Sequence, residues 1–160
     1  TGEVRRILIV DLDVHQGDGS AACFQHDPRV ITLSVHAASN FPLRKVDGDI
    51  DIPLADGTND DDYLAAIADR LPDALDTIAP DLVLYNAGVD PHRDDRLGRL
   101  ALSDAGLNMR DRLVLDACLR RRIPTATVIG GGYDALAPLV QRHAIVVRAA
   151  AEQARLFDLP

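Results

Sequence analysis

The sequence is poor in positive charge, and its basic residues are almost all arginine. Its 160 residues include 17 Lys and Arg against 25 Asp and Glu, which gives a formal net charge of −8. A surface that binds nucleic acid needs clustered basic side chains, so this balance argues against DNA or RNA as a partner and allows a cationic substrate. Lys45 is the only lysine.

Cysteine is also scarce, and long apolar runs are absent. Cys23 and Cys118 are too few and too far apart for a disulfide framework, so the reducing cytoplasm is the expected location. No segment has the roughly 20 apolar residues of a membrane span, and the amino terminus lacks a signal-peptide pattern, so no membrane association is expected. The sequence opens on Thr1 shortly before its first strand, which predicts that residues 1–160 are one partial domain of a longer protein.

Apolar stretches alternate with helical patterns along the chain. Strands are predicted at residues 7–10, 30–35, 82–86 and 125–129, and a short edge strand at 49–54, where Pro53 lacks a donor. Helices are predicted at residues 20–25, at 59–75 with a kink or a division at Pro72, at 103–122 and at 138–157. Asn59 and Ser103 are the expected caps. This order predicts an α/β fold with a mainly parallel sheet and helices on both faces.

The first strand ends in a row of polar side chains. Residues 7–10 are a continuous apolar run, typical of a strand buried on both faces, and Asp11, Asp13 and His15 then alternate with apolar residues. The two-residue repeat of an extended chain places these three side chains on one side. Two carboxylates held together repel each other unless a cation lies between them, and an imidazole adds a further ligand. The pattern predicts a metal site, although a lone Asp or His there would more often begin a polar loop.

The other strands also end in polar or glycine-rich segments. In parallel α/β sheets, ligands bind outside the carboxyl ends of the strands, so we expect these ends to meet at one site. The second strand offers Ser34 and His36 at its end, and the third is followed by a glycine and Asp90. Asp13, His15 and Asp90 would give three protein ligands and leave one coordination position open, as in catalytic zinc sites.

Three glycines and a tyrosine follow the fourth strand. Gly130 to Gly132 allow the backbone to approach a ligand closely, so the hydroxyl of Tyr133 is placed to donate to a developing oxyanion. Together with the predicted metal site, this suggests metal-assisted hydrolysis of a carbonyl compound. A triple glycine alone is more often a tight turn or a phosphate-binding loop.

Six short motifs follow one another along the chain. They are I-V-D-L-D-V-H-Q-G-D-G, T-L-S-V-H, N-F-P, A-G-V-D-P, D-R-L-G-R-L-A-L-S and G-G-G-Y. As an ordered set, they resemble the carboxyl-terminal part of a histone deacetylase family catalytic domain, and H-Q-G-D-G with N-F-P-L-R-K resembles its class IV branch and bacterial relatives. The resemblance spans nearly the whole chain and implies the arginase/deacetylase fold, truncated at its amino-terminal side.

The resemblance implies zinc-dependent hydrolysis of an acetylated (acyl) lysine or a related acetylated amine. Carried over position by position, it implies that Asp13, His15 and Asp90 bind Zn²⁺. Tyr133 would polarise the scissile carbonyl and stabilise the tetrahedral intermediate. An acetylated lysine peptide and an acetylated polyamine both remain open as substrates.

Supporting roles follow from the same resemblance. Asp11 and Ser34 would belong to a buried site for a monovalent cation such as K⁺, and Asp18 would orient a catalytic histidine. The narrow substrate tunnel would include Phe41, Leu97, Gly131 and Gly132.

One departure from the family pattern concerns that catalytic histidine. The family's general base and its partner are two consecutive histidines upstream of the first strand, whereas no two of the five histidines here are adjacent. The chain would cover about half of such a domain. We therefore expect it to be nearly inactive alone, and to self-associate or to require a complementing amino-terminal half.

Two other functions fit parts of the pattern. Asp11 and Asp13 after an apolar strand also resemble the opening of an aspartate-dependent phosphatase, which uses Mg²⁺ and needs a lysine beside the phosphoryl group. Lys45, however, lies in a loop that matches the deacetylase pattern. The second alternative is a non-catalytic metal-binding or interaction module.

Overall fold

The computed structural model describes residues 4–159 as an alternation of strands and helices. The strands are β1 (Ile7–Asp11), β2 (Val30–Ala37), β3 (Ile50–Leu54), β4 (Leu82–Asn86) and β5 (Thr125–Val128). The helices are α1 (Asp18–Phe24), α2 (Asp60–Ile78), α3 (Asp104–Arg120) and α4 (Leu136–Leu156). The predicted order of elements is confirmed.

The five strands form one parallel sheet in the order β3-β2-β1-β4-β5. From β1 the chain proceeds across the sheet to β2 and β3 in one direction, and from β4 it proceeds to β5 in the other. Because the connections that follow β1 and β4 lead away to opposite sides, they leave a crevice beyond the carboxyl ends of these two strands. Asp11, the last residue of β1, is in register with Ser34 of β2 and Asn86 of β4. The end of β1 therefore opens into this crevice. β3 lies at the sheet edge, as Pro53 predicts.

One face of the sheet is closed by helices. Leu8 and Val10 of β1 are fully buried on this face, in register with Val83 and Tyr85 of β4. The Tyr85 hydroxyl donates to Asp111 of α3, 2.5 Å away. Because α3 also contacts α2 and α4, these three helices form a continuous layer with the main hydrophobic core beneath it.

The opposite face is covered less completely. Ile7 and Ile9 are only half-buried, so the prediction that β1 is buried on both faces is wrong for its second face. The exposed fraction rises to 37% at Leu84 of β4 and 60% at Val128 of β5. The helix α1 contacts β2, on the side of the sheet away from β5, and the β5 side is the more exposed one.

Local capping explains where the two central helices begin. The Asn59 side chain accepts a hydrogen bond from the Asp62 amide at 3.1 Å, and Ser103 accepts one from the Gly106 amide at 3.0 Å. Both predicted caps are confirmed.

Of the two outcomes predicted at Pro72, the division is wrong, since α2 continues from Asp60 to Ile78, and the kink stays a prediction. A proline inside a helix costs about 3 kcal/mol. The buried side chains around it, Leu71, Ala74 and Leu75, offset this cost because burying one leucine contributes about 1.5–3 kcal/mol.

No helix within residues 4–159 is both long and apolar enough to cross a membrane. The two cysteines are free thiols, and Cys118 is buried whereas Cys23 is exposed.

Candidate metal centre

The segment after β1 turns three polar side chains towards the crevice. Leu12 and Val14 are fully buried. Between them, the Asp13 amide donates to Asp11 Oδ1 at 3.1 Å, and the His15 amide donates to Asp13 Oδ1 at 2.9 Å. Such bonds from an aspartate to the amide two residues on hold the chain in successive Asx turns. The alternation therefore separates an apolar side from a polar side.

Asp90 reaches the same crevice from the segment after β4. Its carboxylate is fully buried, and its Oδ1 accepts a hydrogen bond from the Val14 amide at 2.8 Å. The Nδ1 atom of His15 lies 3.2 Å from Asp90 Oδ2 and 2.9 Å from Asp13 Oδ1. One potential ligand atom from each of Asp13, His15 and Asp90 lies within 4.8 Å of the others. We call these three residues the metal cluster.

The electrostatics of the metal cluster fit a cation. Hydrogen bonds to Asp13 and Asp90 raise the pKa of His15 to about 10. Burial raises the pKa of Asp90 to about 6, and burial raises that of Asp11 to about 6 as well. The carboxylates thus hold a proton on His15 to offset their charge, and metal ions displace such protons when they bind. Both the donor types and the charge of this cluster suit a divalent metal ion.

Tyr133 lies beside the metal cluster on the loop after β5. The φ angle of Gly131 is +44°, and a Cβ atom there would collide with the carboxylates of Asp13 and Asp90, so only glycine allows this approach. The Tyr133 ring packs edge-on against His15, with ring centroids 5.9 Å apart. Partial burial, followed by the charges of Asp13 and Asp90, raises the pKa of the Tyr133 hydroxyl. The hydroxyl therefore stays protonated at neutral pH and can donate.

Asp95 joins the Tyr133 loop to the loop that follows β4. Its Oδ2 accepts a hydrogen bond from the Tyr133 amide at 2.7 Å. Its Oδ1 accepts from the amides of Leu97 and Gly98, both at 2.9 Å. One carboxylate thus fixes the backbone on both sides.

Arg142 of α4 links the same two loops by pairing with one carboxylate on each. Its guanidinium is largely buried and donates to Asp134 Oδ2 at 2.6 Å and to Asp94 Oδ2 at 2.9 Å. Asp134 directly follows Tyr133, so this pairing limits where the tyrosine loop can lie.

Phe41 and Leu97, predicted to line the substrate tunnel, are exposed apolar residues on two neighbouring loops. The buried Asn40 links these loops, since its Nδ2 donates to Leu97 O at 2.7 Å and its Oδ1 accepts from the Arg99 amide at 3.0 Å. Asn40 Nδ2 also lies 3.5 Å from His15 Nε2. We call the two loops that carry Phe41 and Leu97 the rim. Asn40 therefore connects the rim with the metal cluster.

Asn40, Asp95 and Arg142 are site residues for which the sequence predicted no role. The only local signals are the positions of Asn40 and Asp95 inside the N-F-P and D-R-L-G motifs. Their partners lie in other segments of the chain, which no local pattern reveals.

Asp11 and Ser34 lie near each other but outside the metal cluster. Asp11 Oδ1 accepts a hydrogen bond from Asn86 Nδ2 at 2.9 Å. A Cβ atom at Gly17 would lie 2.6 Å from Asp11 Oδ2, and the Gly17 amide donates to Ser34 Oγ at 3.3 Å. The structure brings the predicted pair together around Gly17, and a monovalent cation there stays a prediction.

Asp18 is the first residue of α1. Of the histidines in residues 4–159, none forms a hydrogen bond with its carboxylate. Its role in orienting a catalytic histidine therefore stays a prediction.

Lys45 has a structural contact that argues against the phosphatase alternative. Its ammonium donates to the carbonyls of Asn40 and Pro42, both at 2.6 Å. The only lysine thus stabilises the rim loop and is not directed at Asp11 or Asp13, where a phosphatase would need it.

Comparison with known sequences relates this site to a family. The family model of the histone deacetylase domain matches residues 1–150. An uncharacterized protein of Picosynechococcus is 53% identical over 150 residues, which cover 93% of this chain and 50% of that protein. Histone deacetylase 2 of Arabidopsis thaliana is 33% identical over 135 residues, which cover 81% of this chain and 34% of that protein. A probable deacetylase of Archaeoglobus fulgidus is 31% identical over 140 residues, which cover 81% of this chain and 39% of that protein.

A solved structure shows the same fold. The acetylpolyamine aminohydrolase of Burkholderia pseudomallei matches with a TM-score of 0.75 and 23% identity, over 93% of this chain and 44% of that chain. The predicted arginase/deacetylase fold is thereby confirmed. This chain spans half or less of the length of each of these proteins. Since the family model matches residues 1–150 of 160, the chain belongs to the histone deacetylase family.

Proposed function

We propose that the protein containing this chain is a zinc-dependent deacetylase that hydrolyses the amide bond of an acetylated amine. The observation that carries this proposal is the convergence of Asp13, His15 and Asp90 within 4.8 Å, beside the ring of Tyr133. Membership of the histone deacetylase family supports the reaction class.

The donor set favours zinc over a harder cation. Mg²⁺ prefers oxygen ligands alone, whereas zinc readily combines imidazole with carboxylates. Three protein ligands also leave a position for a substrate or water, as in catalytic sites. When bound, the ion supplies Lewis acidity and lowers the pKa of its water.

Tyr133 is the proposed hydrogen-bond donor to the reacting carbonyl. Its protonated hydroxyl would stabilise negative charge that develops on the carbonyl oxygen during attack. Asp95 fixes the Tyr133 backbone and thereby reduces the range of positions that the ring samples. Gly131 keeps side-chain atoms out of the space next to the two carboxylates.

An acetylated lysine peptide and an acetylated polyamine share the proposed substrate chemistry. Both present an acetyl amide on an apolar methylene chain, which suits the exposed Phe41 and Leu97 at the rim. The net charge of −8 favours a cationic amine over an anionic one.

In the family pattern, the general base is one of two consecutive histidines, and these 160 residues contain no such pair. We therefore propose that the general base comes from outside them. The proposed source is the other half of a family domain, docked on the open side of the sheet. Leu84, Val128 and Ile129 are exposed on or next to β4 and β5, and an unpaired parallel edge readily accepts another strand. A second copy of this chain is the competing occupant. The cytoplasmic location stays a prediction.

The test uses the intact protein after removal of metal. We expect Zn²⁺ to restore release of acetate from an acetyl-lysine peptide or an acetylated polyamine, and the ratio of the two rates identifies the substrate. Zinc binding without hydrolysis of either substrate would instead favour the non-catalytic module. Hydrolysis of a phosphate ester with Mg²⁺ would support the phosphatase and contradict the proposal.

A further inference from the structure

A charged pair occupies the face of α3 that packs on the sheet. Arg110 and Asp111 are buried, with exposed fractions of 0% and 1%. Leu107 and Val114, one turn before and one turn after Arg110, are ordinary apolar core residues. Replacing such buried pairs by apolar side chains is often neutral for stability or even favourable. Stability alone is therefore a weak reason for an arginine at this position.

The contacts of Arg110 point to the metal cluster. Its Nη1 donates to Gly88 O at 2.6 Å and to Leu12 O at 3.3 Å. Leu12 directly precedes Asp13, and Gly88 lies two residues before Asp90. One guanidinium nitrogen thus bridges the two segments that carry the carboxylates.

These two segments approach each other closely at the point that Arg110 bridges. A Cβ atom at Gly88 would lie 2.8 Å from Asp13 Cα and 3.0 Å from Asp13 Cβ. The Leu12 amide donates to Asn86 O at 3.1 Å, which continues the β1–β4 ladder by one residue. Beyond this bond, the carbonyl oxygens of Leu12 and Gly88 both accept hydrogen bonds from the Arg110 guanidinium. The guanidinium therefore helps to set the distance between the two segments.

The orientation of Arg110 is itself fixed. Its Nε donates to Asp111 Oδ1 at 2.9 Å, and its Nη2 lies 2.8 Å from the same oxygen. That oxygen also accepts the hydroxyl of Tyr85 from β4. A planar group held in this way keeps its remaining donors in a fixed direction.

We propose that Arg110 is a positioning residue for the metal cluster. By bridging Leu12 O and Gly88 O, it holds Asp13 and Asp90 at the separation that a metal ion needs, and so increases metal affinity. This inference rests on the proposed zinc site. It adds a residue whose hydrogen bonds go to the backbone beside the proposed ligands rather than to their side chains.

The test measures zinc affinity of the intact protein by competition with a chromophoric chelator. We expect Arg110→Met to weaken zinc binding by about 10- to 100-fold, the usual effect of losing a group that supports metal ligands. Arg110→Lys should restore affinity only in part, because one ammonium cannot reproduce the planar set of donors. Val114→Ala is the matched control, since it removes core volume from the same helix face without breaking these hydrogen bonds.

Two results would overturn the inference. One is zinc binding by folded Arg110→Met within about twofold of the unmodified protein, well below the effect expected for a supporting group. The other is an equal loss in Val114→Ala, which would make the effect one of general stability.

If Arg110→Met does not fold, the double variant Arg110→Met/Asp111→Leu decides between the same outcomes, since it leaves no unpaired buried carboxylate. An unmodified protein that binds no zinc would contradict the proposed function itself. Zinc binding that is unaffected by Arg110→Met contradicts the inference alone.

Discussion

The metal cluster and the Tyr133 loop meet at one site but are held in different ways. The cluster lies over the core, with Leu12, Val14 and Asp90 fully buried. Tyr133 is 45% exposed and follows Gly131 and Gly132, which both have positive φ angles. Metal affinity should therefore depend on the buried hydrogen bonds that hold the segments of Asp13 and Asp90, whereas turnover should also depend on polar contacts between loops.

The largest effect is expected from Asp90→Asn. It removes the buried charge of a proposed ligand, so zinc affinity should fall by more than the roughly 100-fold that supporting residues can cost. Asp94→Asn is the control, because this carboxylate lies in the same loop but pairs with Arg142 outside the metal cluster. Competition with a chelator measures both affinities. Near-normal zinc binding by Asp90→Asn would show that the ligand set is wrong.

Tyr133→Phe should separate the two parts of the site. Loss of the hydroxyl is expected to lower kcat by about 10²–10³, as for other donors to a developing oxyanion. Zinc affinity should stay unchanged, because the ring and its edge-on contact with His15 are retained. Steady-state kinetics on the metal-loaded intact protein measure kcat. A parallel loss of zinc affinity would contradict the independence of the two parts.

Asp95→Ala should have an intermediate effect. It frees the amides of Tyr133, Leu97 and Gly98, so kcat is expected to fall by about tenfold through misplacement of the tyrosine. Zinc affinity should again stay unchanged. Asp116→Ala is the matched control, since Asp116 forms a surface ion pair with Arg120 within α3. Equal turnover by the two variants would show that Asp95 does not position Tyr133.

The smallest effect is expected from Asp134→Asn. Arg142 keeps its contact with Asp94, and an asparagine oxygen can still accept a hydrogen bond from it, so kcat should fall by less than about fivefold. The same kinetic assay applies. A loss as large as that of Tyr133→Phe would mean that this ion pair controls the loop.

Most of the fold follows from local signals in the sequence. The β-branched and apolar runs predict all five strands, and Asn59 and Ser103 predict the starts of α2 and α3. The undivided helix at Pro72 and the half-exposed face of β1 share a cause. In both cases, the outcome depends on packing between distant segments of the chain, which a local sequence pattern does not reveal.

The same distinction applies to the site. Asp13, His15, Asp90 and Tyr133 were predicted because each follows a strand end, where the topology of a parallel sheet brings residues together. Asn40 contacts Leu97, 57 positions away, and Arg110 contacts Leu12, 98 positions away. A single sequence contains no signal for such pairs.

The bond between the Val14 amide and Asp90 joins residues 76 positions apart. The metal cluster therefore requires tertiary folding that brings the ends of β1 and β4 together, and an unfolded chain cannot offer the same ligands. A bound ion would act as a reversible cross-link between the two halves of the sheet. At a free concentration 100 times its Kd, it would add about 2.7 kcal/mol to the free energy of unfolding. The melting temperature of this protein should then report how much of it carries metal.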